Sequence, residues 1–295
     1  MRGKTIAVLG GDRRMAEAVR AFARSGAQLR VTGLPSVESR SDVEVCVSVA
    51  DALTGAHVAV FPVQGVGEDG RVYAQEGSDL AVTADALQRM QKQGTVFTGI
   101  GSRFLRDRCE EAGLSLVEYR EADEFAVWNS IPSAEGGIQM AMEATPFTLF
   151  GSRSLVLGFG RTGKALALLL KGLHSEVSVA VRNEMDYARV WAAGYRYVPW
   201  STLAEAVASS DVIFNTVPAR VLTREVLRQA PPHAVVIDLA TAPGGTDFAA
   251  AQELGLTAKL APGLPGIVAP VTAGQIIADM ILRFLAGETR EEGSR

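Results

Sequence analysis

Short apolar runs alternate along the chain with longer stretches in which apolar residues recur every three or four positions. Runs of the first kind suit strands buried on both faces, and stretches of the second kind suit helices laid over a sheet. Their alternation predicts a parallel α/β architecture. The first half reads as strand "TIAVLG", a helix from about Met15 to Ser25, strand "QLRVTG", a weaker run "VEVCVSV" and the run "GAHVAVFPV". A polar loop over 64–78 follows. A helix over 84–93, strand "TVFTGIG", a helix from about Arg103 to Ala112 and strand "LSLVEY" complete an N-terminal flavodoxin/Rossmann-like α/β domain over 1–130.

Ile131-Pro132 then breaks the pattern. Ser133 is placed to cap a helix from Ala134 to about Ala144 that Pro146 stops, so 131–148 reads as a bridging helix. From 154 a second alternation begins with "SLVLGFG", helix 162–173, "EVSVAVR", helix 186–193, "YRYVP" and helix 202–208. It continues with "DVIFNTVP", helix 223–229, "AVVIDLA", a helix near 247–253 and "LTAKLAPGLPG". Six strand candidates separated by helices make a doubly wound NAD(P)-binding Rossmann domain over 149–272. The segment 273–295 holds most of a last helix, 272–286, whose stripe of Ile276, Ile277, Met280, Ile281 and Phe284 needs a partner and is expected to pack back on the first domain. The tail "GETREEGSR" reads as frayed.

The candidate chemistry starts at Gly158, Gly160 and Gly163, which match G-x-G-x-x-G with a buried strand before and an apolar helix after. Gly158 permits the tight turn, Gly160 lets backbone approach a pyrophosphate, and Gly163 lets helix and strand pack closely. The N–H groups of the helix start face the phosphates. Phe159, Arg161 and Thr162 fill the loop between the glycines. The next strand ends in Arg182 and Asn183, where NAD-preferring folds carry an acid; an arginine there suits a 2′-phosphate, and the alternative is a solvated charge at a strand end. NADP is therefore expected as cofactor, with NAD possible. Thr216, Val217 and Pro218 follow a strand and are candidate backbone contacts to the cofactor. Asp238 and Leu239 end the next strand, and Asp238 either orients the nicotinamide carboxamide or caps a turn. "APGLPGIVAPVTAG" is a Pro/Gly-stiffened loop before the last helix, either excluding water beside the nicotinamide or simply connecting two elements.

On the substrate side, "GGDRRM" opens the first helix without the spacing of a second cofactor loop. Arg13 and Arg14 there suit a small carboxylate, or are two exposed charges in a turn. Ser102, Ser130 and Ser133 offer hydrogen bonds to a substrate. Asn129 and Glu135 are the catalytic candidates, Glu135 as a proton carrier unless it is a surface acid matched to a helix start. A two-domain 2-hydroxy-acid dehydrogenase is expected to use a late histidine paired with a carboxylate, and His233, just before a buried strand, is remote from the expected site.

Composition mainly removes alternatives. Among 295 residues, 47% are hydrophobic and 21% charged, and the net charge of −4 comes without a Lys/Arg stripe, so no nucleic acid is expected. No run approaches the length of a membrane span and the N-terminal apolar run is too short for a signal peptide, so a soluble, cytoplasmic chain is expected. Three scattered histidines argue against a His-based metal site, and two cysteines without a CxxC pair read as reduced thiols.

"IAVLGGDRRM", "NSIPSAEGGIQMAM", "VLGFGRTGKALA", "DLATAPGGTDF" and "APGLPGIVAPVTAG", in this order over nearly the whole chain, resemble the family of dipicolinate synthase A subunits of endospore-forming bacteria. The resemblance implies an enzyme of the sporulating mother cell that makes dipicolinate from a hydroxylated tetrahydrodipicolinate, a small dicarboxylate drawn from the lysine pathway. It implies NADP as hydride acceptor and, as partner, a flavoprotein-like B subunit; a homo-oligomer stays open. Two alternatives remain: a nucleotide-binding regulatory or scaffold subunit whose partner does the chemistry, and a two-domain dehydrogenase of another amino or hydroxy acid, disfavoured by the missing histidine.

Overall fold

A computed structural model describes residues 1–75 and 79–287, and the chain divides into two units: Met1–Trp128 with the segment from Ala269 onward, and Asn129–Val268. The tail expected to be frayed lies, from Glu288 on, outside the described residues.

In the first unit, β1 (Thr5–Leu9), β2 (Gln28–Thr32), β3 (Val43–Val45) and β4 (Val58–Val60) are followed by a two-stranded antiparallel hairpin, β5 (Arg71–Val72) and β6 (Leu80–Ala81), and then by β7 (Thr95–Thr98) and β8 (Ser115–Glu118). The six-stranded parallel sheet has the order β3-β2-β1-β4-β7-β8, with Ile6 opposite both Leu29 and Val58. Side chains alternate between its faces as the pleat requires. Ile6 and Val8 enter one core with α1 (Arg13–Ala23), while Ala7 and Leu9 enter another with α2 (Val49–Leu53), α3 (Ala84–Gln88) and α4 (Arg103–Glu111). β5 lies within the stretch read as a polar loop, and β6 and most of α2 lie where the pattern assigned no element. The helix expected over 84–93 ends at Gln88, and Gln93 sits in the left-handed region at φ 61°.

The largest difference from expectation is α5, which runs unbroken from Asp123 to Ala144 through Pro132. Proline removes one donor from the helical ladder and usually costs about 3 kcal/mol in a helix interior. Here each half of the helix is anchored: Phe125 belongs to the first unit's core, and Ala134, Ile138 and Ala141 to the second unit's. Ser133 does not cap a helix start; its hydroxyl donates back to the Asn129 carbonyl at 2.8 Å.

The second unit repeats the topology. β9 (Arg153–Leu157), β10 (Glu176–Val181), β11 (Arg196–Pro199), β12 (Val212–Asn215), β13 (Val235–Asp238) and β14 (Thr257–Leu260) form a parallel sheet of order β11-β10-β9-β12-β13-β14. Around it stand α6 (Arg161–Gly172), α7 (Glu184–Ala192), α8 (Leu203–Ala208), α9 (Arg224–Leu227) and α10 (Phe248–Glu253). The stiffened loop before the last helix contains a short helix, α11 (Leu264–Val268). Gly136 and Gly137 let α5 lie close to this unit: a Cβ on either would fall within 3 Å of Leu264 or Leu239.

The last helix, α12 (Pro270–Leu285), packs along α1 and sends Ile277, Met280 and Ile281 into the first core. Among the described residues no helix is long and apolar enough to cross a membrane. At Gly274 the α12 backbone nearly touches α1, and a Cβ there would stand 2.4 Å from the Arg14 carbonyl oxygen and 2.8 Å from the Ala18 nitrogen. Gly274→Ala is therefore expected to destabilise the first unit by about 1–3 kcal/mol in denaturant unfolding. Gly172→Ala, where nothing lies within 4 Å, serves as its control and is expected to be neutral or to stabilise by up to about 1 kcal/mol. Equal effects at the two positions would contradict this packing.

Candidate functional site

β9 is flanked by β10 on one side and β12 on the other, so the order in which strands are added reverses there, and the crevice at the C-terminal edge is where open α/β sheets take ligands. The three glycines at this edge have different reasons to be glycine. Gly158 sits at φ 90°, and a Cβ on it would meet the Thr216 hydroxyl at 2.8 Å. A Cβ on Gly163 would lie 2.2 Å from the Gly158 carbonyl oxygen, so the helix could not approach the strand. Gly160 has ordinary extended backbone, φ −74°, and a Cβ there would meet nothing within 4 Å. The protein itself does not demand a glycine at 160. The demand fits a ligand that comes against the backbone.

Gly160 is also the N-cap residue of α6 and supplies no side chain to it. Of the other helices, α1, α2, α3, α4, α7 and α10 are capped by Asp12, Ser48, Thr83, Ser102, Asn183 and Asp247. The helices α8, α9 and α12 share with α6 the lack of a side-chain cap, but not its place after the glycine turn at the end of β9. The first turn of a helix leaves N–H groups without intrahelical partners, and with the helix dipole these attract an anion. The residues present therefore fit the phosphates of a dinucleotide.

The loops after β12 and β13 are held by a buried polar network that the sequence pattern revealed only in part. Asn215, fully buried, accepts from the Val217 N–H at 3.0 Å and donates to the Val217 carbonyl at 3.1 Å and to Asp238 Oδ1 at 3.0 Å. Asp238, also fully buried, accepts from the Ala240 and Gly245 N–H groups at 3.0 and 2.9 Å and from the Thr246 hydroxyl at 2.6 Å. Of its two alternatives Asp238 takes the turn-closing one. The Thr216 N–H and hydroxyl both donate to the Leu157 carbonyl, so with Val217 held by Asn215, and Pro218 lacking an N–H, the segment 216–218 presents no uncommitted backbone donor. It borders the crevice as carbonyl and apolar surface instead.

Three further expectations change. Asn183 spends its side chain capping α7, accepting from the Asp186 N–H at 2.8 Å. Phe159 turns into the core and packs edge-on against Tyr195. Leu239 packs over Gly137 on α5. Each of these side chains is engaged with the protein's own groups. Arg161 and Thr162 open α6, and Arg182 stands exposed at the end of β10 with its guanidinium 4.6 Å from the centre of the Trp200 ring.

In the first unit the corresponding loop is filled by the protein's own chain. Gly11 donates to the Tyr73 carbonyl at 2.6 Å and accepts from Gln75, so the segment after β5 lies across the glycines. Asp12 caps α1 and grips the buried Arg14 through both carboxylate oxygens, at 2.6–3.1 Å. Arg14 is thus an internal ion pair and not a carboxylate receptor, whereas Arg13 is exposed. The Ser102 hydroxyl accepts from the Leu105 N–H, and Glu68 accepts from the Arg103 and Phe104 N–H groups, so α4 is likewise closed. Ser130 is buried, Glu135 is exposed, and Asn129 is half-buried. Asn129 and Glu135 lie six residues apart on α5, roughly 120° around its axis, so the helix does not bring them together.

His233 does find a carboxylate, Asp211, at 3.0 Å, and Arg153 grips the same group at 2.6 Å. Hydrogen bonds from Arg153, working against burial and helped by His233, hold Asp211 well below the usual carboxylate range. Both residues precede their strands, which puts the pair about 15–20 Å from the ligand edge at ~3.3 Å per strand residue. It is a structural clamp.

Two family models match the chain. The one for the N-terminal domain of the dipicolinate synthase A subunit covers residues 5–120, and "D-isomer specific 2-hydroxyacid dehydrogenase, NAD binding domain" covers 127–244. The dipicolinate synthase A subunit of Bacillus subtilis is 36% identical over 297 residues, covering 99% of both chains. In the crystal structure of the Bacillus halodurans dipicolinate synthase A subunit, the fold matches with a TM-score of 0.88 at 35% identity, over 97% of this chain and 98% of that one. The crystal structure of its Bacillus subtilis counterpart matches with a TM-score of 0.87 at 34% identity, over 98% and 97%.

The Asp12–Arg14 pair carries a pH signature. Burial pushes the Asp12 carboxyl up, but the hydrogen bonds and charge of Arg14, with a contact from Gln64, outweigh it and hold the group below its ordinary value. Such a group contributes stability above its unfolded value, about 3.9, and loses it as pH falls through the lower folded value. Asp12→Asn, which leaves Arg14 buried without a counter-charge, is expected to cost about 3 kcal/mol at pH 7. Thermal unfolding should show this gap closing below about pH 4, as Asp12 of the parent protein takes up its proton. A gap that stays constant down to acid pH would show that the pair is not coupled to folding.

Proposed function

Because the chain belongs to the family of dipicolinate synthase A subunits, we propose that it is an NADP-linked oxidoreductase forming dipicolinate. Its substrate on this reading is 4-hydroxytetrahydrodipicolinate, or the dihydrodipicolinate left after loss of water. The observation that carries the reading is Gly160, a residue whose side-chain position faces open space at the uncapped start of α6. The NAD-binding dehydrogenase domain supports a nicotinamide coenzyme, and Arg182 in place of an acid at the end of β10 supports NADP.

The first turn of α6 holds the pyrophosphate, with Arg161 and Thr162 beside it. Thr216, Val217 and Pro218 line the crevice past the end of β12, kept in place by Asn215 and Asp238. Arg13, exposed at the start of α1, is the contact for a substrate carboxylate. The bound coenzyme supplies the hydride acceptor. Loss of water from the hydroxylated ring, then departure of one hydride to the coenzyme and one proton to solvent, leaves an aromatic pyridine dicarboxylate. Aromatisation drives the oxidation, so the protein's task is chiefly orientation. The reading includes a second, flavoprotein-like partner protein, supported by the relatives' being named as one subunit of a synthase, and a place in spore formation.

A second reading, in which the partner carries the chemistry and this chain holds a nucleotide, draws on two observations: Asn129 and Glu135 do not meet on α5, and the His233–Asp211 pair stands at the far edge of the sheet. Purified chain incubated with freshly generated hydroxytetrahydrodipicolinate and NADP⁺ separates the two. Reduced coenzyme accumulating without a partner supports the first, and turnover only after the partner is added supports the second.

Gly160→Leu tests the site itself. Because a Cβ there would meet no atom within 4 Å, the folding cost is expected to be confined to the poorer N-cap, about 1 kcal/mol or less. Coenzyme affinity by calorimetry is expected to fall more than about 30-fold, the equivalent of ~2 kcal/mol. An unchanged affinity, or no heat with either coenzyme in the parent chain, would overturn the reading.

A further inference from the structure

β10 and β11 run parallel with Val181 opposite Pro199, so the residues just past them, Arg182 and Trp200, are register neighbours at the ligand edge of the sheet. The Trp200 ring is half-buried, packed against the core that contains Val198, Leu203 and Val207, and it opens a 3₁₀ turn in which the Thr202 hydroxyl donates to the Pro199 carbonyl at 3.1 Å. The ring is therefore a rigid platform. Arg182 lies over it with its guanidinium carbon 4.6 Å from the ring centre. Among the described residues this ring is the one side-chain partner of Arg182, and no carboxylate neutralises it.

We propose that Trp200 is the specificity-determining partner of Arg182: stacking on its ring fixes the guanidinium so that the N–H edge is presented to a coenzyme 2′-phosphate. The proposal rests on the coenzyme reading above and deepens it. A free arginine side chain carries about 2 kcal/mol of rotamer entropy that must be lost before it grips an anion. Stacking removes part of that cost before the ligand arrives, because the flat face of the guanidinium is satisfied by the ring while its in-plane donors stay available for a bidentate contact with phosphate. The absence of a carboxylate leaves the full positive charge for the ligand. Trp200 touches no coenzyme on this account; it is a positioning residue, and its effect appears only with a coenzyme that carries the extra phosphate.

The test is a double-mutant cycle on the full chain, with Kd for NADP⁺ and for NAD⁺ measured by calorimetry. Trp200→Leu keeps an apolar side chain against the core and removes the aromatic face, and Trp200→Phe restores a smaller ring. Trp200→Leu is expected to weaken NADP⁺ about five-fold, in keeping with an exposed cation–π contact, and to leave NAD⁺ unchanged. Trp200→Phe should recover most of the loss. In an Arg182→Ala background Trp200→Leu should have no further effect. If Trp200→Leu weakens both coenzymes alike, or leaves the NADP⁺/NAD⁺ ratio unchanged while Arg182→Ala lowers it, the positioning role is wrong and the Arg182 reading stands. If Arg182→Ala leaves the ratio unchanged, the assignment of NADP to this edge fails together with the proposal.

Discussion

A helix that begins without a capping side chain carries an electrostatic demand, since its first-turn N–H groups point outward and its dipole is uncompensated there. In the second unit that demand sits at Gly160, and the elements around it are arranged to keep it open. Gly158 turns the chain back on itself at a positive φ, Gly163 lets α6 lie against β9, and the side chains of Asn215 and Asp238 occupy themselves with their own loops. A buried carboxylate and amide that were half-satisfied would be costly. Here the donors and acceptors of the network close on one another, so the two loops bordering the crevice form one stiff rim.

The first unit makes the contrast plain, because it has the same strand order and the opposite outcome. Its equivalent loop, Gly10–Gly11, is crossed by the segment after β5, and its helix start is answered by Asp12. The start of α4 is answered by Ser102 and by Glu68 reaching in from the polar loop. Topology alone thus does not make a nucleotide site. What differs is whether the chain spends its own acceptors on the helix starts or leaves them for a ligand.

That distinction explains what could be read from the amino-acid sequence. The alternation of buried strands and amphipathic helices is a local property, so both sheets, the glycine loop and the return of α12 were legible from it. Side-chain allegiance is a competition among neighbours, and it was read less well. Asp12 two residues before Arg14, and Asn183 three before Asp186, are both capping signals, and they show where the side chains of Arg14 and Asn183 find partners within the protein. The buried Asn215 ending an otherwise apolar run was likewise a visible oddity. Pro132 inside α5 was not legible, because what overrides the proline's preference is the anchoring of residues on either side of it, Phe125 and Ala134 among them, in cores that the local pattern does not describe. The hairpin of β5 and β6 has two residues per strand, too short for any periodicity to register.

The placement of the His233–Asp211 pair bears on the chemistry. Dehydrogenases that oxidise a hydroxyl group must take its proton as the hydride leaves, which calls for a base beside the coenzyme. In this chain His233 and Asp211 stand at the N-terminal edge of the second sheet, with Arg153 locking the carboxylate. A substrate that gains aromatic stabilisation as it loses hydride and proton asks less of such a base, because the ring C–H becomes acidic in the same step and solvent can take the proton. On the proposed reaction, then, the fold keeps the means of holding and orienting two ligands, while the acid–base pair expected of a 2-hydroxy-acid enzyme serves only to fasten the start of β12 to the strand beside it.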